Sequence, residues 1–284
     1  MRDVLSGSFA APRWILWPPN RIRVVNWNID RGLRLEDIIA FLEAQRADIL
    51  VLQEVDLYAR RTGFRNVAEE IAKTLRMNYV FGYEFEELIQ GRRGAPAYHG
   101  QATLSCWPLG NSRILRFREQ SNFWKPKWFL PHTEPFQPRR GGRIALITEV
   151  EVGGRRLIIY NLHLESRADD RLRRMQLSET LEDAKKYVDS EPVVVAGDLN
   201  VDLSRSYSSA AVLENLGFHS AIALPPAHTT TARGLFRHRR SIDWVYLAGP
   251  VKSISGGVCD DVNASDHYPI WFELKLTDTD QSGR

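Results

Sequence analysis

The chain has 284 residues, 43% hydrophobic and 26% charged, which excludes a disordered or fibrous polymer and allows one large domain or two small ones. Its two cysteines, Cys106 and Cys259, lack metal spacing and so exclude a disulfide framework or a zinc site, and no run reaches the roughly 18 apolar residues of a membrane helix. The net charge of +3 is only mildly basic; seven of the 38 cations are lysine and the other 31 arginine, a bias that suits bidentate binding of anions and equally fits codon usage.

Residues 1–20 read as a loosely ordered arm packed on the body. Its Trp14-Ile15-Leu16-Trp17 segment, closed by Pro18-Pro19, is too short for a signal-peptide core. With so few cysteines, a cytoplasmic location is expected. Ile22 to Ile29 reads as a strand whose end carries Asn28 and Asp30 on one face. Leu35, Ile38, Ile39 and Leu42 follow at helical spacing. A second buried strand, Asp48 to Glu54, ends in a carboxylate. Asn66 is the N-cap of the next helix, with Glu69 three residues on. A strand is expected at Tyr79 to Tyr83, then a polar loop from Glu84 to Gly100, then a short strand from Gln101 to Leu104 and another at Ile114 to Arg118. Residues 120–142, rich in aromatic, basic and proline residues, read as a long surface loop.

Gly153-Gly154 between Ile144–Glu151 and Arg156–Asn161 is a hairpin signal. The second strand carries Asn161 and His163 on one face. A helix starts near Asp169, with Leu177, Leu181, Ala184 and Val188 inward. Val193 to Asn200 is an apolar, β-branched strand ending in Asp198 and Asn200, two residues apart and so on one face. Taken alone, that end is also what an Asx turn looks like. A short helix at 210–216 is capped by Gly217. The strand Ser241 to Leu247 carries Asp243, and a polar loop from Cys259 to Tyr268 holds Asp266 and His267. A last strand spans Pro269 to Leu276. No linker divides the chain, so one domain is expected over residues 21–276, followed by a polar tail, 277–284.

Acids, amides or histidines thus stand at the ends of several apolar strands. Their carboxylate and amide character favours Mg2+ or Mn2+ over zinc. The series Trp27-Asn28-Ile29-Asp30, Leu52-Gln53-Glu54-Val55, Asn161-Leu162-His163-Leu164, Gly197-Asp198-Leu199-Asn200, Ile242-Asp243-Trp244 and Ser265-Asp266-His267-Tyr268-Pro269-Ile270 resembles the endonuclease/exonuclease/phosphatase (deoxyribonuclease I-like) superfamily, in the same order. Each motif is weak by itself; six in series are specific. Family members often carry Asn where Gln101 stands.

The resemblance implies an α/β (α+β) fold: a four-layer sandwich of two facing, mostly antiparallel β-sheets flanked by helices. It implies divalent-metal-dependent hydrolysis of a phosphate ester, with Mg2+, or Mn2+, as cofactor. Glu54 would hold the metal with Asn28 and Asp30 nearby, although Asp30 serves as readily to cap the turn before Gly32. Asp266 would serve the metal or orient a histidine. His267, oriented by Asp243, would act with Asp198 on the attacking water, and Asn200 would donate to a phosphate oxygen. His163 would protonate the leaving oxygen or stabilise the pentacovalent phosphorus. Asn161 and Arg143 are expected to bind substrate, Arg143 being as readily a hairpin-flanking residue. A monomeric phosphodiesterase or nuclease is the leading expectation. A phosphomonoesterase, or a hydrolase of inositol phosphates or sphingomyelin, is the alternative, and a non-catalytic binding module is disfavoured by the intact acids and histidines. Arg237, Arg239 and Arg240 lie where they could steer a polyanion.

Overall fold

The structure, a computed structural model, describes residues 4–11, 19–129, 131, 133, 138–167, 169–202, 212–222, 228–231 and 239–278. Trp14 to Trp17, Arg237, the start of the helix expected at 210–216 and the end of the tail lie outside the described residues. In chain order the elements are β1 (Val4–Gly7), β2 (Ile22–Arg31), α1 (Leu35–Gln45), β3 (Ile49–Leu57), α2 (Val67–Leu75), β4 (Asn78–Arg92), β5 (Ala95–Ser105) and β6 (Leu109–Arg116). They continue with β7 (Arg139–Gly141), β8 (Ile144–Val152), β9 (Arg155–His163), α3 (Asp170–Ala184), β10 (Val193–Asp198), β11 (His219–Ser220), β12 (Asp243–Ala248), β13 (Val251–Val258) and β14 (Ile270–Leu276). Residues 212–215 are helical.

The strands form two sheets. One runs β1-β4-β5-β3-β2-β14-β13 with β7 on the edge of β4; the other runs β11-β12-β10-β9-β8-β6. Among the described residues, only the β2/β3 and β9/β10 pairs are parallel. Side-chain alternation sorts each strand into two faces. Val24, Val51, Ile159, Val194, Val245 and Phe272 meet in a central core between the sheets. Val25, Trp27, Leu50 and Leu52 point the other way, onto α1 and α2. Ile158, Tyr160, Val193 and Val195 do the same onto α3. The result is the expected four-layer sandwich.

Local signals explain the element ends. Asn66 Oδ1 caps α2 by accepting from the Glu69 backbone amide, and the Asn66 side-chain Nδ2 donates to the Glu69 carboxylate. Asp169 caps α3 by accepting from the Leu172 amide. Gly153 and Gly154 take positive φ, as the two-residue hairpin between β8 and β9 requires.

Three segments differ from expectation. Within the 1–20 arm, Val4 to Gly7 is a strand paired with β4. Arg139 to Gly141, within the expected surface loop, pairs with β4 as β7. The expected loop from Glu84 to Gly100 is instead a long hairpin of β4 and β5. Its inward acids Glu84 and Glu87 are buried because each pairs with arginine. Glu84 pairs with Arg143, and Glu87 with both Arg61 and Arg139. A buried strand can be polar when its charges are paired.

Candidate active site

The inner faces of the strands are apolar at one end of the sandwich and polar at the other. Ile159 is followed on its face by Asn161 and His163, Val194 by Ala196 and Asp198, and Val24 by Asn26 and Asn28. On β5, Thr103, Gln101 and His99 continue the pattern. The polar ends of both sheets therefore open onto one cleft, of about 490 Å3, lined among others by Glu54, His163, Asp198, Asn200, Asp266 and His267.

Two backbone features aim the side chains. A register shift between Leu52 and Val55 frees Glu54 from the ladder, and Glu54 takes φ 50. Asn200, at the end of β10, takes φ 51. Non-glycine residues in this region are costly and cluster at functional sites. Gly197 is required by close packing: a Cβ there would stand 1.9 Å from the Leu162 carbonyl oxygen of β9.

His267 Nδ1 lies 2.8 and 3.0 Å from the two Asp243 oxygens. Thr229 Oγ1 fixes the start of β12 by accepting from the amides of Ile242 and Asp243. Burial would lower the His267 pKa, but Asp243 and Asp198 outweigh it and hold the ring protonated above its ordinary range. His267 Nε2 is 3.7 Å from Asp198 Oδ2. Asp198 accepts from the Asn200 amide at 2.9 Å and, across the sheets, from Asn28 Nδ2 at 3.1 Å. Burial, reinforced by Asp243, raises the Asp198 carboxyl above the usual range, with His267 opposing.

On the other side of Asp198, His163 Nε2 stands 3.7 Å from Asp198 Oδ2 and 3.9 Å from Glu54 Oε1. Arg143 determines the state of this ring. Its guanidinium lies 2.8 Å from His163 Nδ1 and 2.6 Å from Glu84. Arginine only donates, so Nδ1 is the acceptor and the ring hydrogen sits on Nε2, facing the cleft. Burial and Arg143 both push the His163 pKa well down, so the ring is neutral. Glu54, by contrast, is an anion. Burial would raise its pKa, but the Arg31 guanidinium foremost, with that of Arg139, holds it well below the usual range. An ionised Glu54 sharing its cleft with Asp198 and Asp266 fits a divalent cation. Behind it lies a buried charged network, in which His99 Nδ1 contacts Asp56 at 3.0 Å and Arg61 grips Asp56 with two bonds of 2.7 Å.

The structure gathers Glu54, His163, Asp198, Asn200, Asp243, Asp266 and His267 of the expected residues into one site. Asn28 joins it through Asp198. Asp30 pairs with Arg31 and is not among the side chains lining the cleft. Asn161 departs from the expected substrate contact. It is fully buried, its amide donating to the Leu52 and Ala102 carbonyls while its oxygen accepts from Gln53. It fastens one sheet to the other. Gln101 donates to the Ile144 carbonyl. Both Arg239 and Arg240 are exposed, and of the two Arg240 lines the cleft. Sequence reasoning missed Arg31, Glu84, His99 and Arg139. Only His99 had a readable signal, its alternation with Gln101 and Thr103.

The sequence profile of the Endonuclease/Exonuclease/phosphatase family matches residues 25–267. No curated protein matches the sequence. Among solved structures, an endonuclease/exonuclease/phosphatase from Beutenbergia cavernae is similar, with 20% identity and a TM-score of 0.68 over 94% of this chain and 74% of that one. A D. rerio TDP2 humanized by 14 mutations is similar with 18% identity and a TM-score of 0.64, over 91% of this chain and 100% of that one. An endonuclease/exonuclease/phosphatase family protein from Leptotrichia buccalis shares 14% identity with a TM-score of 0.63, over 90% and 100%. At these identities the likeness is one of fold. With the profile spanning most of the sequence, the chain belongs to the endonuclease/exonuclease/phosphatase family and is a metal-dependent hydrolase of phosphoric esters.

Proposed function

We propose that this chain hydrolyses phosphodiester bonds in nucleic acid with Mg2+, or Mn2+, as the ion. The observation that carries this is the unbroken series Glu54, His163, Asp198, His267, Asp243, each within 3.9 Å of the next. It lies in a cleft that also presents Arg31, Arg139, Arg143, Arg167 and Arg240. Arginine forks suit phosphate oxygens.

Glu54 would hold the ion, with Asn28 and Asp266 as further oxygen donors, and the ion's positive charge offsets that of the phosphate. Asp198 takes the proton of the attacking water, and its raised pKa is the right direction for a base working near neutrality. His267, kept cationic by Asp243, orients that water and balances the charge of Asp198. His163 presents a neutral Nε2–H to a phosphate oxygen, acting as a fixed donor rather than a proton source. Asn200 spends one amide hydrogen on the Leu164 carbonyl and has a second for substrate. Trp124 lines the cleft and Phe123 stands half exposed at its rim, with Arg139 and Arg167 over their faces. Such rings suit stacking of bases.

Phospholipid is the second reading, favoured by Trp128, 96% exposed, and Phe129 beside it. A panel of single-stranded DNA, RNA, phosphoinositide and sphingomyelin, with and without chelator, tests both. Chelator-sensitive cleavage of nucleic acid is the expected result. Cleavage of lipid alone would transfer the assignment to the second reading, and cleavage of none would overturn both.

A further inference from the structure

We propose that His99 supplies a ring nitrogen to the metal site at Glu54, so that a first-row transition ion binds there through a direct imidazole bond. The inference rests on the phosphoesterase reading of the cleft and names a ligand within it. A ring nitrogen of His99, a Glu54 carboxylate oxygen and a ring nitrogen of His163 all lie within 4.8 Å of one another. That group resembles a two-histidine, one-carboxylate site, but one histidine is disqualified. The Arg143 contact keeps the hydrogen of His163 on Nε2, which leaves no lone pair there for an ion.

His99 is the opposite case. Its ring is fully buried, and Nδ1 is 3.0 Å from Asp56. A carboxylate accepts, so Nδ1 carries the hydrogen and Nε2 keeps its lone pair. That Nε2 atom is buried and has no hydrogen-bond partner. Buried acceptors without partners are rare and call for an explanation. Metal-bound histidines commonly donate their other ring N–H to a carboxylate, which sets the tautomer. Asp56 does this here, and Arg61 locks Asp56 in turn. Glu54 and His99 together make a mixed oxygen–nitrogen donor pair. Imidazole shifts preference away from Mg2+, which takes oxygen donors, toward first-row transition ions.

The test uses the full chain loaded with Mn2+ and examined by pulsed electron paramagnetic resonance, with Mn2+ affinity measured by calorimetry. The spectrum should show 14N coupling from a bound imidazole in the natural protein and in His163→Gln, and none in His99→Gln. Asp56→Asn should weaken Mn2+ binding about 10–100-fold. A natural protein that binds Mn2+ without 14N coupling, or coupling that persists in His99→Gln, overturns the proposal while leaving the Glu54 site intact; the first result needs no variant to fold. Failure of the natural protein to bind Mn2+, or wild-type binding by Glu54→Gln, overturns the metal-dependent reading and this proposal together.

Discussion

Burial, reinforced by Asp243, raises the Asp198 carboxyl toward neutrality, while Asp243 and Asp198 overcome burial to keep His267 cationic where a free imidazole would be losing its proton. A base must be ionised to act, so kcat/KM should rise with pH through the elevated Asp198 pKa. It should fall again once His267 loses its proton. Asp243→Asn should move that falling limb toward lower pH, which a pH–rate profile would reveal. Asp198→Asn should cost roughly 10²–10⁴ in rate if it removes the base. For His163 the decisive comparison is between leaving groups. A fixed donor contributes equally to good and poor leaving groups, so His163→Ala should lose about 10²–10³ with both. A loss confined to poor leaving groups would show that His163 transfers a proton instead. The tautomer that underlies this was not legible in the sequence, since Arg143 and its partner Glu84 are 59 residues apart.

Among the elements, β9, β10 and β12 were legible because their inner faces run from β-branched residues to polar ones without interruption. The β4–β5 hairpin was not, because its inward acids resemble a solvated loop until Arg61, Arg139 and Arg143 arrive from distant segments. Packing between β9 and β10 leads to a sharp expectation. Gly197→Ala would drive a methyl group into the Leu162 backbone, which cannot rotate away as a side chain would. Overpacking costs about 1–3 kcal/mol, and this substitution should reach the upper end or exceed it. Chemical denaturation would measure the shift; an unchanged midpoint would mean that the two strands separate more easily than their register implies.

At the scale of the whole molecule, the site joins the two sheets as much as the apolar core does. Asn28 bonds to Asp198, and Gln53 donates to Asn161. Charge at this junction couples stability to pH. The folded pKa of His267 is raised, so its contribution is fully present below the unfolded histidine value of about 6.5 and is lost as pH climbs through the folded one. Melting curves of the natural protein and His267→Gln should therefore converge as the solution becomes alkaline. A gap that stays constant would mean that the ring is neutral in the folded state.

The hairpin turn at Gly153-Gly154 falls between the two halves of the reagent set. Glu54, His99 and Arg143 precede it; His163, Asp198, Asp243 and His267 follow it. Cleaved there, the polypeptide would yield two fragments, each chemically inert for want of what the other carries. Turnover regained on mixing would then count reunited molecules, making the enzyme its own gauge of fragment complementation.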